Sequence, residues 1–216
     1  MYGELVAKLL WEAGAVKVNL KEPFRLVSGN CSPVYIDCRK LISDPHSMRI
    51  ITTLFCDVIE QNKIRVDVVA GGESAGIPFA SFLAKELGKP LVYVRKKNKS
   101  YGTESLVEGN PGKSCWIILV EDLITDGLSK LGFIESLKST GNKVEHCLVV
   151  FDRQGGSAAC LLSQEDIELW SLSDLYQLII WLEGSNKLTK EELKSLRNYF
   201  QDPEMWCFER GFFWIE

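Results

Sequence analysis

Between Val66 and Phe151 the chain repeats one arrangement, a short wall of apolar residues followed by a turn and a helix pattern stopped by glycine. "VDVVAGG", "LVYV", "CWIILV" and "VEHCLVVF" are runs without polar alternation, as expected of strands buried on both faces. "AGIPFASFLAKELG" and "SKLGFIESLKSTG" have helical spacing and close at Gly88 and Gly141. Strands of that kind alternating with helices predict an α/β fold, a parallel sheet with helices on both faces.

The flanks are shorter on signal. Residues 1–18 read as an amphipathic helix, with Glu4, Lys8 and Glu12 interrupting an apolar pattern, and not as a signal peptide. Phe24–Leu26 and Val34–Ile36 are strand candidates, and Ser47–Gln61 is a helix candidate with apolar residues at Met48, Ile51, Leu54, Phe55, Val58 and Ile59. Beyond the core come a strand candidate at Glu168–Ser171 and helix candidates at Asp174–Glu183 and Lys190–Phe200. With 216 residues, 46% hydrophobic and 25% charged, the chain suits one globular domain.

Charge and cysteine usage exclude several classes. A net charge of -4 supplies no global positive field for nucleic acid or an anionic membrane, so any anion site is local. The apolar stretch at 178–182 is too short to span a bilayer. Seven cysteines (Cys31, Cys38, Cys56, Cys115, Cys147, Cys160, Cys207) show no pairing rhythm, and most lie in apolar runs, so free thiols in a reducing, cytosolic compartment are expected. His46 and His146 are the only histidines, which leaves little for a zinc site or a histidine triad.

The chemistry concentrates in "CWIILVEDLITDGLSK". Glu121 and Asp122 sit where the apolar strand is expected to end, the place where open α/β sheets bind ligands. Thr125, Asp126, Gly127, Leu128 and Ser129 then offer consecutive amides and two hydroxyls at a helix start, which suits a phosphate. The acids suit the hydroxyls of a sugar carrying that phosphate, or Mg2+. A ribose 5-phosphate cradle fits all of this; a capped strand-to-helix turn is the plainer alternative.

Asp126 conflicts with that cradle. A full charge about 5 Å from a phosphate costs roughly 3 kcal/mol at an effective dielectric near 20. Its carboxylate is therefore expected to turn outward and pair with Lys130, four residues on. A second anion-seeking element is the run Arg95, Lys96, Lys97 and Lys99, which opens a stretch of about twenty residues without strand or helix period. So dense a set of cations either repels itself in solvent or receives a polyanion.

At these residues the chain resembles the type I phosphoribosyltransferases. "VEDLITDGLS" is similar to their phosphoribosyl pyrophosphate motif. "SGNCSPVYIDCRKLIS", "GGESAGIPFASFLAKELGKP", "VRKKNKSYGTESLVEG" and "DRQGG" resemble, in order, segments of orotate phosphoribosyltransferases over roughly residues 1–156. The resemblance implies an N-terminal helix and hood (1–45), a core (46–156) and a C-terminal helical extension (157–216). Glu121 and Asp122 would hold the ribose hydroxyls and, with Lys99, carry the catalysis. Residues 125–129 would wrap the 5-phosphate, Thr125 also touching the pyrimidine edge. Arg95, Lys96, Lys99 and Tyr101 would hold the pyrophosphate with the "GGESAG" turn, which contains Glu73 and Ser74. Arg153 would grip the orotate carboxylate and Tyr35 stack on the base. Mg2+ would be held mainly by the pyrophosphate, and two copies would share active sites in a homodimer.

Departures are visible too. Val27 and Cys31 stand where the family often has a base-contacting lysine, Tyr101 where many members have histidine, and Asp126 and Leu128 where the phosphate loop usually carries small or hydroxylated residues. Two other readings compete: a purine phosphoribosyltransferase, and a regulator that binds phosphoribosyl pyrophosphate without consuming it. The acidic balance disfavours the regulator, which would need a basic nucleic-acid surface.

Overall fold

The computed structural model describes residues 2–26, 29–96, 106–153 and 156–212. Helix α1 (Tyr2–Glu12) leads into a small outer layer in which β1 (Val16–Val18) pairs with β4 (Val34–Ile36) and β2 (Phe24–Arg25) pairs with β3 (Cys31–Ser32), both antiparallel. A 3-10 helix, Cys38–Ser43, then gives way to α2 (Pro45–Gln61). Asp44 starts α2 by accepting the amides of His46 and Ser47, and Pro45 occupies the first turn, where no amide partner is needed.

The core sheet holds β5 (Val68–Gly72), β6 (Leu91–Val94), β7 (Val107–Glu108), β8 (Trp116–Ile124), β9 (Lys143–Asp152) and β10 (Glu168–Asp174), in the order β10-β9-β8-β5-β6-β7. All neighbours are parallel except β6 and β7. Between the strands run α3 (Gly76–Leu87), α4 (Leu128–Lys138) and α5 (Ser157–Ser163); α6 (Leu175–Ser185), α7 (Lys190–Gln201) and α8 (Pro203–Phe208) follow β10. The α/β expectation holds. Gly88 and Gly141 adopt the left-handed conformation that ends α3 and follows α4, which is why glycine stops both helices.

Side chains alternate along β8 and divide the core in two. Ile118 and Val120 join the cluster under α1, α2, α3 and α6; Leu119 joins the cluster under α4 and α5. On the first face α1 and α6 lie in contact. Ser173 Oγ donates to the Gly3 carbonyl at 2.8 Å, and a Cβ on Gly3 would fall 2.4 Å from Gln177 Cγ, so any larger residue there would have to displace the Gln177 side chain. No helix among the described residues is long and apolar enough to cross a membrane.

Several expectations change. The strand expected over 115–120 runs on to Ile124, so Glu121 and Asp122 lie within it and not beyond it. Part of the long loop is strand β7, held by Arg95 N–H donating to the Leu106 carbonyl at 2.9 Å. Cys31 and Cys207 form a disulfide, against the expectation of free thiols throughout; β3 and α8 meet only in the folded chain, 176 residues apart, where spacing carries no signal. The other five cysteines are free.

Candidate active site

The chain runs from β5 to β6 on one side and returns to β8 on the other, so the order reverses between β5 and β8. Pairing of β5 with β8 stops at Gly71 and Val120, whereas β8 stays paired with β9 as far as Ile124. A crevice therefore opens beside Glu121 and Asp122 on the β5 side. Strand alternation sends these two side chains to opposite faces.

Glu121 points to the α4 face and is nearly closed off, with 4% of its side chain exposed. Its Oε2 takes the ammonium of Lys130, itself 11% exposed, while Oε1 has no hydrogen-bond partner among the described residues. The carboxylate fits only because of two glycines. A Cβ on Gly72 would lie 1.8 Å from Oε1, and one on Gly76 2.5 Å from it. Burial raises the Glu121 carboxyl above its ordinary value, opposed by the positive charge of Lys130. Asp122 is raised by burial as well, again against Lys130, and the Arg39 charge also reaches it. Arg39 in turn forks onto Asp37, with Nε to Oδ1 at 2.5 Å and NH2 to Oδ2 at 2.9 Å, holding the Asp37 carboxyl below its ordinary value.

Lys130 was expected on the surface beside Asp126. Instead, Asp126 Oδ1 accepts the Leu128 amide at 3.0 Å and the side chain is solvent-exposed, as expected, but without the lysine. The spacing rule failed because α4 begins only at Leu128, so Asp126 is in a turn and not one helical turn below Lys130. Helical side chains lean toward the N-terminus, which carries a first-turn lysine back over the strand end. Gly127 makes this turn with φ +88° and is packed against Ala158. Thr125, Asp126, Leu128 and Ser129 ring the turn, with Leu128 63% exposed.

The β5–α3 turn stands across the crevice. Its Glu73 carboxylate accepts the Lys96 amide at 2.8 Å, and the Glu73 amide donates to the Val94 carbonyl, so this turn and the base of the cationic loop form one unit. Ser74 follows a cis peptide bond with Glu73. Arg95 faces Glu108 across the β6–β7 pair, NH1 to Oε1 at 3.4 Å. Lys99 and Tyr101 lie outside the described residues, as does Val27.

Arg153 follows β9, its amide donating to the Ile124 carbonyl at 2.9 Å. Its guanidinium is largely buried, and burial pulls its pKa below the usual arginine range; the phenols of Tyr199 and Tyr35 lie close enough to act on it. No ion pair with Asp152 forms among the described residues, and Asp152 accepts the Gly156 amide at 3.1 Å. Tyr35 packs against Phe24 with ring centroids 5.7 Å apart. Cys31, near this group, carries its carbonyl to the Tyr199 hydroxyl at 3.2 Å. Sequence reasoning missed Lys130, Arg39 and Tyr199. Only Lys130 had a signal, a cation in a helix's first turn, where the helix dipole disfavours it.

The phosphoribosyl transferase domain profile matches residues 40–159, more than half of the chain. The chain belongs to the phosphoribosyltransferase family. It is 47% identical over 150 residues to an orotate phosphoribosyltransferase of Sinorhizobium medicae, an alignment covering 68% of this chain and 65% of that protein, so the chain spans slightly less than two thirds of that relative. An orotate phosphoribosyltransferase of Ruegeria is 37% identical over 205 residues, 94% of this chain and 91% of that one. Among solved structures, the orotate phosphoribosyltransferase of Aeropyrum pernix superposes with a TM-score of 0.74 at 38% identity, over 83% of this chain and 99% of that one.

Proposed function

We propose that this chain is an orotate phosphoribosyltransferase, transferring ribose 5-phosphate from phosphoribosyl pyrophosphate to N1 of orotate to give orotidine 5'-phosphate and pyrophosphate in pyrimidine biosynthesis. One observation carries the choice of base. Arg153 is a buried guanidinium beside Tyr35 with no carboxylate in ion-pair reach among the described residues, and an anionic, planar pyrimidine acid completes such a site. The names of the relatives point the same way.

In this reading the remaining amides of residues 125–129 receive the 5-phosphate, while the exposed Asp126 carboxylate caps the Leu128 amide. Glu121 and Asp122 accept the ribose hydroxyls and stabilise the positive charge that builds on the ring as the C1'–oxygen bond breaks. The bonding pair leaves with pyrophosphate, the proton on N1 of orotate passes to the departing pyrophosphate oxygens or to solvent, and the new N1–C1' bond forms. Arg95, Lys96, Lys99 and Tyr101, with the Glu73–Ser74 turn, take the leaving anion. Tyr35 stacks on the base.

No group of three or more His, Cys, Asp or Glu side chains suited to a metal occurs among the described residues. In this reading Mg2+ would arrive on the pyrophosphate oxygens, its natural hard ligands. Homodimerisation with shared sites and a cytoplasmic location belong to the same proposal. The test is direct: the purified chain is given phosphoribosyl pyrophosphate, Mg2+ and each base in turn while orotate absorbance is followed. Orotate consumption is expected; consumption of a purine but not of orotate would refute the assignment.

A further inference from the structure

We infer that Lys130 is a positioning residue for this reaction: by binding Oε2 of Glu121 it fixes the carboxylate so that Oε1 faces the β5–α3 turn as the acceptor for a ligand hydroxyl. The inference rests on the reading of the crevice as a ribose site and adds a residue that the two acids and the phosphate turn do not include. Three observations carry it.

The first is the division of labour on one carboxylate. Lys130 occupies Oε2, and Oε1 is buried without a partner. Buried carboxylate oxygens are almost always satisfied, and an exception at a crevice marks a place where something else supplies the donor. The second is the space made for it. Gly72 and Gly76 leave the volume that a Cβ at either position would remove, and they flank the turn facing the crevice, one ending β5 and the other starting α3. The third is that Lys130 stands where its charge is otherwise unfavourable, in the first turn of α4 and nearly out of solvent. Pairing with Glu121 offsets this. Asp122 and Lys96 are the other charges that act on Glu121, but neither is hydrogen-bonded to it. Without Lys130 the Glu121 carboxylate has no hydrogen-bonding group among the described residues to fix its orientation.

The geometry also explains why lysine is usable so near a phosphate turn. Its ammonium is drawn under the loop toward β8 and beside the Phe133 ring, 6.0 Å from the centroid, so it engages Glu121 and not the turn, whose Leu128 amide is held by Asp126 Oδ1.

The experiment uses the full chain and four variants: Lys130→Met, Lys130→Arg, Glu121→Gln, and Lys130→Met combined with Glu121→Gln. Steady-state kinetics for each substrate are measured beside the melting temperature. Lys130→Met should lower kcat/KM for phosphoribosyl pyrophosphate at least tenfold while leaving the orotate KM within threefold. Lys130→Arg should recover most of that loss. In the double variant, which carries no buried unpaired charge and so is the safest to fold, Lys130→Met should add less than threefold to the effect of Glu121→Gln. Additive effects would overturn the inference, as would an equal loss for both substrates tracking a fall in melting temperature. An unaltered chain that consumes no phosphoribosyl pyrophosphate with any base would sink the functional reading and this inference together; additive effects in an active chain sink this inference alone.

Discussion

Arg153→Met should make the protein more stable and worse at its reaction, two changes of opposite sign from one cause. The guanidinium is largely buried, burial already disfavours its charged form, and no carboxylate pairs with it among the described residues. Methionine keeps an unbranched apolar stem in the same space and removes the uncompensated cation. The backbone amide still reaches the Ile124 carbonyl, so the β8–β9 register is untouched. Relief of a partly desolvated, unpaired charge is worth about 1 kcal/mol, which raises the melting temperature by roughly 2–4 °C for a domain of this size. Binding moves the other way. Losing one partner of a buried, charge-assisted pair costs on the order of 2 kcal/mol or more, about thirtyfold in orotate affinity. The affinity for phosphoribosyl pyrophosphate should stay within threefold, since none of the side chains assigned to that substrate is hydrogen-bonded to the Arg153 guanidinium among the described residues. Differential scanning calorimetry and isothermal titration of each substrate read all three quantities. A variant that melts lower and loses both substrates equally would refute the claim that Arg153 is held in wait for an anion.

Other outcomes follow from the same geometry. Gly72→Ala places a methyl 1.8 Å from Glu121 Oε1 and 2.6 Å from the Phe133 ring, so it should cut turnover more than tenfold with a melting temperature several degrees lower; full activity in that variant would mean the carboxylate need not sit where it does. Asp126→Asn keeps an oxygen for the Leu128 amide and alters only an exposed charge, so calorimetry should find phosphoribosyl pyrophosphate affinity changed by less than threefold, and a gain above tenfold would place that charge against the ligand. Asp122 is raised by burial, so the native state holds its proton to a higher pH than the unfolded chain; stability from this group therefore falls as pH rises through the window above its unfolded value of 3.8, and is flat beyond the folded pKa. Asp122→Asn should accordingly raise the melting temperature more at pH 7 than at pH 4, and the reverse ordering would contradict burial as the dominant cause.

The parallel core was legible because its strands are short apolar walls that no helix of the same length could bury on every side, and because Gly88 and Gly141 mark where helices must stop. β7 was not, since two residues, Val107 and Glu108, are too few to show a period; the antiparallel partner Tyr93–Val94 creates it. The six-residue α8 was hidden for a similar reason, its aromatic composition suggesting burial but no spacing. Within the site, charges at the edge of an apolar strand announced Glu121 and Asp122. Lys130 was misplaced because the i,i+4 rule was applied across a turn that had not yet become helix. The approach of Cys31 to Cys207, and of Tyr199 to the group around Arg153, is set by how the last helices fold back over the first strands, which local pattern does not encode.

The contact between α1 and α6 has a consequence for how the molecule is made. The bond from Ser173 to Gly3 closes across 170 residues, and Val6, Leu9 and Leu10 share their core cluster with Leu178 and Leu182. During synthesis the 3-10 helix and α2 can cover part of α1 soon after it forms, but the side that meets β10 and α6 waits until those elements emerge. At about 5–20 residues per second that is on the order of ten to thirty seconds of exposure. Contacts of such long range also make closure slow once the chain is complete. Until then the apolar residues that close this contact stay uncovered, and an interruption of translation before α6 releases a fragment in which that side of α1 has no partner.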